Sequence, residues 1–130
     1  MIDHVTILVK DYPRSLKLYL QALQPLGYAM TMELDDVTYP ELPAAFFAGL
    51  GVGGKPDLWL RPSDVVKPTH VAFRAETRSA VDAFYREALA AGAKPNGEPG
   101  IRESYHPHYY GAFVLDFDGY NLEAVCHTPE

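Results

Sequence analysis

The chain has 130 residues, which is enough for one domain with a hydrophobic core but not comfortably enough for two. Its net charge is −6 and its basic residues do not cluster, which argues against nucleic acid and anionic membranes as partners. No apolar run is long enough to span a membrane, no signal peptide is recognisable, and the single cysteine excludes an intrachain disulfide, so we expect a cytoplasmic protein.

A strand is predicted over residues 2–9, because apolar residues there share one face with a period of two. That face suits a covering helix, and the opposite face, which carries His4, is open to a ligand. Asp11 is the predicted N-cap of the next helix, and Pro13 is tolerated in its first turn. The helix has an apolar stripe with helical spacing: Leu16, Tyr19, Leu20 and Leu23. Three further strands are predicted at residues 30–34, 45–50 and 57–60.

The second half of the chain repeats this order. A strand is predicted over residues 69–74, with His70 near its start. Thr77 is the predicted N-cap of a second helix, which ends near Gly92. Its apolar stripe consists of Val81, Phe84, Tyr85, Ala88 and Leu89. At one constant offset His4 falls on His70 and Tyr19 on Tyr85. The chain is therefore predicted to be one domain, residues 1–130, with modules at about residues 1–64 and 67–127.

The end of the second module contains the third residue of interest. Residues 94–98 are rich in turn-forming residues, and residues 101–105 are predicted to be a strand. Two more strands, at 110–115 and 121–125, are predicted to form a hairpin, because the Asp and Gly residues between them suit turn geometry. Glu123 lies in the last strand and shares a face with Val125 and His127.

Two imidazoles in equivalent places and one carboxylate make a candidate metal site with open positions: His4, His70 and Glu123. Each residue has a structural alternative. A histidine in a strand is more often a structural residue, and the glutamate has the alternative of an edge position facing solvent. A glutamate in an apolar strand is nevertheless unusual unless it is paired, because burying a carboxylate is costly.

Three segments of this chain resemble the vicinal oxygen chelate superfamily, also called the glyoxalase/bleomycin-resistance/extradiol dioxygenase fold. The segments are residues 4–11, 69–73 and 109–123. The last is similar to the family's Asp-Pro-Asp-Gly-Asn-x-x-Glu hairpin, with Phe117 in place of Pro and Tyr120 in place of Asn. The resemblance implies an α+β fold in which two βαβββ modules form a cupped mixed sheet around a divalent metal. Its ligands map onto the three residues named above.

The family has a fourth metal slot in the last strand of the first module. Aligning residues 57–60 with residues 121–124 puts Trp59 in that slot, whereas proteins that resemble glyoxalase I fill it with a carboxylate. A ligand set of two His and one Glu instead resembles the set found in extradiol dioxygenases and fosfomycin-modifying transferases. The donor set suits Fe, Mn, Co, Ni or Zn, and the sequence does not choose among these metals.

The segment 102–110 is the next candidate for function, since it packs one Arg, two His and three Tyr before the hairpin. We predict catalytic roles for three of these residues. His106 would act as a general acid or base, Tyr110 would donate a hydrogen bond to a substrate oxygen, and Arg102 would hold a carboxylate. The alternative is a surface loop, which we favour for His108. A second set of residues is predicted to contact substrate or line a pocket or dimer contact: Trp59, Phe47 and Tyr109.

Two functions follow from this sequence as hypotheses. The first is a metal-dependent enzyme, a homodimer, that acts on a small oxygenated molecule by lyase, isomerase, transferase or dioxygenase chemistry. The second is a metal-free binding protein that sequesters an aromatic or antibiotic-like ligand, as bleomycin-resistance proteins do. The sequence leaves open the substrate, the reaction and whether the site forms within one chain or across a dimer.

Overall fold

The computed structural model describes residues 1–35, 37, 40 and 46–130. Module 1 contains β1 (Val5–Val9), α1 (Tyr12–Leu23), a 3-10 turn (Gln24–Leu26), β2 (Ala29–Asp35), β3 (Phe46–Val52) and β4 (Lys55–Pro62). Module 2 contains β5 (His70–Arg74), α2 (Arg78–Ala90), β6 (Lys94–Ile101), β7 (Tyr110–Leu115) and β8 (Asn121–Cys126). The order βαβββ occurs twice, which confirms the predicted α+β class. Residue 45 of the predicted strand 45–50 lies outside the described residues.

Each module has its own four-stranded sheet, with the strand orders β1-β4-β3-β2 and β5-β8-β7-β6. The pairs β1–β4 and β5–β8 are parallel, and the other pairs are antiparallel. β1 and β5 are therefore edge strands, and in the described part of the chain they do not pair with each other. Among the described residues the two sheets remain separate, and β1 and β5 each have one edge to which a partner strand could add.

The two helices begin at the predicted caps. The Asp11 carboxylate accepts from the Arg14 N–H at 3.2 Å, and the Thr77 hydroxyl oxygen accepts from the Ala80 N–H at 3.1 Å. The buried stripe of α1 is wider than predicted and includes Ser15, Leu18 and Ala22, whereas Leu16 and Leu20 are only partly buried. The reason is that α1 packs on α2 as well as on its own sheet. In the residues that the structure describes, no helix is long and apolar enough to cross a membrane.

The prediction for the middle of module 2 is wrong in two places. Residues 94–98, predicted to be a turn, belong to β6, and residues 102–109, half of them predicted to be strand, form a turn. The Arg102 N–H closes that turn by donating to the Tyr109 carbonyl at 2.8 Å. β6 is an edge strand with bulges on either side of Gly97, and edges and bulges tolerate the prolines that suggested a turn.

The predicted β7–β8 hairpin is confirmed, and its turn joins the two modules. Asp116 in this turn is buried, and its Oδ1 accepts from the N–H groups of Asp118 and Tyr120 at 2.9 and 2.8 Å. Its Oδ2 accepts from the hydroxyl of Tyr19, a residue of α1, at 2.5 Å. Burial raises the pKa of the Asp116 carboxyl, and these hydrogen bonds oppose that rise. The buried apolar residues of both modules form one core.

Candidate functional site

Two of the predicted metal ligands are in contact, His70 on β5 and Glu123 on β8. The imidazole Nε2 lies 2.9 Å from the carboxylate Oε2. The glutamate side chain is 2% exposed and the histidine side chain is 48% exposed. The parallel strands are in a register that pairs Ala72 with Glu123 and His70 with Asn121, so both side chains project from the same sheet face. This is the face turned away from the helix, which we call the open face.

The contact of the other ring nitrogen of His70 indicates which nitrogen carries the proton in the neutral imidazole. Nδ1 lies 3.1 Å from the backbone carbonyl oxygen of Asn121. A carbonyl only accepts hydrogen bonds, so Nδ1 is the nitrogen that carries the proton. In the neutral ring, Nε2 then presents a lone pair to the Glu123 carboxylate. Two electron-rich atoms at this distance require a proton or a metal cation between them.

Tyr109 holds the second oxygen of the buried carboxylate. Its hydroxyl donates a short hydrogen bond to Oε1 of Glu123. Burial, and then this hydrogen bond, raise the pKa of the Tyr109 hydroxyl well above its usual value, which keeps it a donor. A Cβ at Gly111 would lie 3.2 Å from Oε1 and 3.2 Å from Cε1 of the tyrosine ring. The glycine therefore makes room for both groups.

Neither the role of Gly111 nor the link from Tyr109 to Glu123 was predicted from the sequence. Strand parity contains the signal for both. Phe113 pairs with Glu123 across the β7–β8 ladder, so the odd-numbered residues at this end of β7 face the carboxylate. Tyr110 has the opposite parity.

The structure places Tyr110 on the helix side of the sheet. Its hydroxyl donates to the Asp82 carboxylate of α2 at 2.6 Å. That hydrogen bond is the main cause that raises the pKa of Tyr110 to about 12, and burial adds to it. The Arg78 guanidinium lies 5.2 Å from the centre of the tyrosine ring. Tyr110 is therefore engaged with α2.

Among the described residues, the two histidines of the 102–109 turn make ring contacts with each other and with His127, but not with His70 or Glu123. The His127 ring lies 5.2 Å from the Tyr109 ring and 5.9 Å from the His106 ring, measured between centroids. The His106 ring is 5.8 Å from the His108 ring. Among the described residues, the ring contacts that lead from His106 toward Glu123 pass through His127 and Tyr109, and the His106 carbonyl also accepts from the Tyr109 N–H at 3.1 Å.

Arg102 and Phe113 lie on the open face at the other side of the pair. The Phe113 ring stacks on His70 at a centroid distance of 6.1 Å. The Arg102 guanidinium carbon lies 5.5 Å from the centre of the same phenylalanine ring. The Phe113 ring is therefore a common neighbour of His70 and of the Arg102 guanidinium.

His4 is the predicted ligand that does not join the pair. Its side chain is 53% exposed, and its Nδ1 lies 2.8 Å from Oδ1 of Asp3. In residues 1–35, 37, 40 and 46–130 of one chain, no group of three or more His, Cys, Asp or Glu side chains could hold a metal ion. A single chain therefore brings together two of the three predicted ligands.

The strand registers place Trp59 where the sequence alignment put it. In module 1, Thr6 pairs with Trp59 across β1–β4, and in module 2 Ala72 pairs with Glu123 across β5–β8. Trp59 thus occupies in the first sheet the position of the glutamate in the second. It lies over Gly49, where a Cβ would be 3.0 Å from the indole.

A groove of about 750 Å³ runs between the two modules. Its lining includes Asp3 and Val5 from the start of the chain and His70 and Phe73 from β5. The face of Phe73 is met edge-on by Tyr28, with ring centroids 5.6 Å apart. Phe47, by contrast, lies with Arg61 in the first sheet, the guanidinium being 5.3 Å from the ring centre.

Comparison with known proteins agrees with this architecture. The sequence model of the Glyoxalase/Bleomycin resistance protein/Dioxygenase superfamily matches residues 1–124. No curated protein matches the chain. Several solved structures are similar in fold.

A glyoxalase/bleomycin resistance protein from Albidiferax ferrireducens T118 superposes with a TM-score of 0.75 at 22% identity, covering 98% of each chain. A glyoxalase/bleomycin resistance protein/dioxygenase family enzyme from Burkholderia phytofirmans PsJN gives a TM-score of 0.68 at 21% identity, again covering 98% of each chain. A glyoxalase I mutant from Zea mays gives 0.71 at 22% identity, covering 95% of this chain and 46% of that one. At these identities the likeness concerns the fold.

Proposed function

Because this chain belongs to the glyoxalase/bleomycin resistance protein/dioxygenase superfamily, we propose that it is a metal-dependent enzyme whose divalent metal is held by His4, His70 and Glu123. The contact between His70 and Glu123 is the observation that carries the proposal. Nε2 of His70 and Oε2 of Glu123 are 2.9 Å apart, close enough for both atoms to bind one cation at ligand distances of about 2.1 Å. The pair therefore fits a shared cation.

The surroundings of the pair support this fit. The Asn121 carbonyl directs the lone pair of His70 toward the glutamate, and Tyr109 fixes the second carboxylate oxygen. Such partners orient metal ligands and set their basicity. Burial of a carboxylate is costly without partners, and a metal cation would be a suitable partner for the Glu123 oxygen that lies beside the imidazole.

The third ligand, in this proposal, comes from a second copy of the chain. β1 and β5 are edge strands of separate sheets, and His4 precedes β1 as His70 opens β5. A twofold dimer that sets β1 of one chain beside β5 of the other brings His4 to the partner's pair. Asp3 holds Nδ1 of His4, which leaves Nε2 available to a metal.

A divalent metal held by His4, His70 and Glu123 would supply Lewis-acid chemistry to a small oxygenated substrate. The residues of the chain then have separate tasks. Glu123 and His70 hold their positions through Tyr109 and the Asn121 carbonyl. Phe113 stacks on the His70 ring and covers part of it. His106, beside His127, is the proposed general acid or base, and Tyr110 is outside the centre because it is bonded to Asp82.

Metal analysis of protein purified without chelator tests this proposal. We expect metal in the wild-type protein and in a His108→Ala control, and near-zero metal in the His70→Ala variant. Equal, near-zero metal in all three proteins would refute the metal centre.

The shared character of the site has its own test. Heterodimers of a His4→Ala chain and a Glu123→Gln chain, isolated with two affinity tags, contain one intact site of two and should hold about half of the wild-type metal. Neither homodimer should hold metal. A heterodimer without metal, from variants that still form dimers, contradicts a site built across the interface.

A second candidate function is metal-free binding of an aromatic ligand. The groove of about 750 Å³ is in the size range of small-molecule sites, and Trp59 and Phe47 add aromatic surface to the first sheet. Thermal stabilisation by a ligand that persists in EDTA and in the His70→Ala variant favours this function. Stabilisation that disappears in either condition favours the metal centre.

A further inference from the structure

The Arg102 side chain packs against two glycines on the open face of the second sheet. Its guanidinium lies against the Phe113 ring and above β6, where the chain has two glycines. A Cβ at Gly100 would be 3.1 Å from Nη1, and a Cβ at Gly97 would be 3.4 Å from Nη2. A Cβ at Gly100 would therefore press on the guanidinium, whereas one at Gly97 would meet it at an ordinary contact distance.

Backbone contacts hold the arginine in this position. Nη2 donates to the Glu98 carbonyl at 2.7 Å, and the Arg102 N–H donates to the Tyr109 carbonyl at 2.8 Å. The second bond joins the arginine to the residue that binds Glu123. The position of the guanidinium is thus tied to the position of the carboxylate.

The charge of this arginine is not balanced by a carboxylate. Throughout the described residues, the ion pairs include Arg74 with Glu76 but none with Arg102. The chain has 17 acidic and 11 basic residues, so acidic partners are plentiful. A guanidinium has five N–H donors, and Arg102 uses one of them for the Glu98 carbonyl. A fixed cation with free donors, on the face of the candidate site, is suited to an anionic ligand.

We propose that Arg102 is the anion-binding residue of this site and that the substrate is a small molecule with a carboxylate. Its place beside the metal rests on the proposed function, whereas the binding of an anion by Arg102 does not. A free edge of a guanidinium matches a planar carboxylate through two parallel hydrogen bonds. The Phe113 ring lies 6.1 Å from the His70 ring and 5.5 Å from the guanidinium, a spacing that one small molecule can span.

Benzoate and benzamide, which have similar shapes but different charge, are the probes for this proposal. Titrations followed by ligand-observed NMR with the protein as purified should show benzoate binding about tenfold tighter than benzamide or better. The Arg102→Gln variant should bind the two within about twofold of each other. Arg86→Gln, which removes an exposed arginine on α2, is the matched control and should keep the wild-type preference.

Gly100→Ala is the second variant, because it retains the arginine but moves its guanidinium. It should weaken the preference for benzoate, whereas a merely nonspecific charge effect would leave the preference intact. No preference in the wild-type protein, or a preference that survives Arg102→Gln, overturns the proposal.

The metal content of the same preparations separates this outcome from that of the metal centre. A benzoate preference that depends on Arg102 in protein without metal refutes the metal centre and supports the anion site. Metal in both the wild-type and Arg102→Gln proteins, without a benzoate preference, supports the metal centre and refutes the anion site.

Discussion

The open faces of the two modules differ although their strands pair in the same register. At the matching position, the first sheet has Trp59 packed over Gly49, and the second has Glu123 beside Phe113. Each of these cross-strand pairs contains one aromatic residue, so the two faces have comparable bulk but different chemistry. The duplicated register determines where a side chain points, and single positions determine whether the face carries a candidate metal ligand.

The helix-facing positions of the same strands show the opposite pattern. Leu58 in β4 and Leu122 in β8 occupy equivalent places, and both are almost fully buried. Packing against the helices restricts these positions to apolar residues, whereas the open faces are free of that restriction. The two modules therefore share a core and differ in their sites.

The largest expected effect comes from changing the matching pair of positions. Glu123→Gln removes the charge of the proposed ligand and should reduce metal affinity by a factor of about 100 or more, since an amide is a poor ligand for these metals. Trp59→Gln, at the equivalent place in module 1, should leave metal affinity unchanged. Competition titration with a chromogenic chelator measures both, and equal affinities would remove the functional distinction between the modules.

Equivalent tyrosines of the two helices provide the next comparison. Tyr19→Phe leaves Oδ2 of buried Asp116 without its donor and should lower the free energy of unfolding by about 2 kcal/mol. Tyr85→Phe, in the partly buried counterpart, should cost less. Urea unfolding at neutral pH measures the difference, and equal costs would argue against a special link between the modules.

The Tyr19 hydroxyl should also make the free energy of unfolding depend on pH. Burial, followed by the neighbouring Asp116 charge, raises the pKa of the Tyr19 hydroxyl well above 10.0. The folded state therefore binds this proton more tightly than the unfolded state, so the stabilisation is complete below pH 10 and declines as the pH rises above the ordinary tyrosine pKa. Unfolding measured between neutral pH and pH 11 should show a steeper loss in the wild-type protein than in Tyr19→Phe. Parallel curves would contradict this assignment.

The smallest expected effect separates two adjacent tyrosines. Tyr109→Phe removes the hydrogen bond to Glu123 and should weaken metal binding about tenfold, because partners of metal ligands typically contribute that much. Tyr110→Phe removes only the bond to the exposed Asp82 and should leave metal affinity unchanged. Chelator competition on both variants checks this. Weaker binding in Tyr110→Phe alone would place the functional hydroxyl on the helix side.

Much of the fold could be predicted because its signals are local. Asp11 and Thr77 are N-caps by virtue of their own side chains, and the β7–β8 hairpin follows from its turn residues. β6 could not be predicted in this way. Its prolines and glycines are typical of turns, and they are accommodated because the strand lies at an edge and bulges at Gly97.

The sequence by itself determined the duplicated modules and placed Trp59 opposite Glu123 in the alignment, because hydrophobic periodicity and motif spacing are properties of the chain. Only the tertiary structure decided that His70 contacts Glu123, that Tyr109 rather than Tyr110 reaches the carboxylate, and that His4 lies apart. These facts depend on strand register and on which edges meet. Register is fixed by long-range pairing and packing, which no local segment specifies alone.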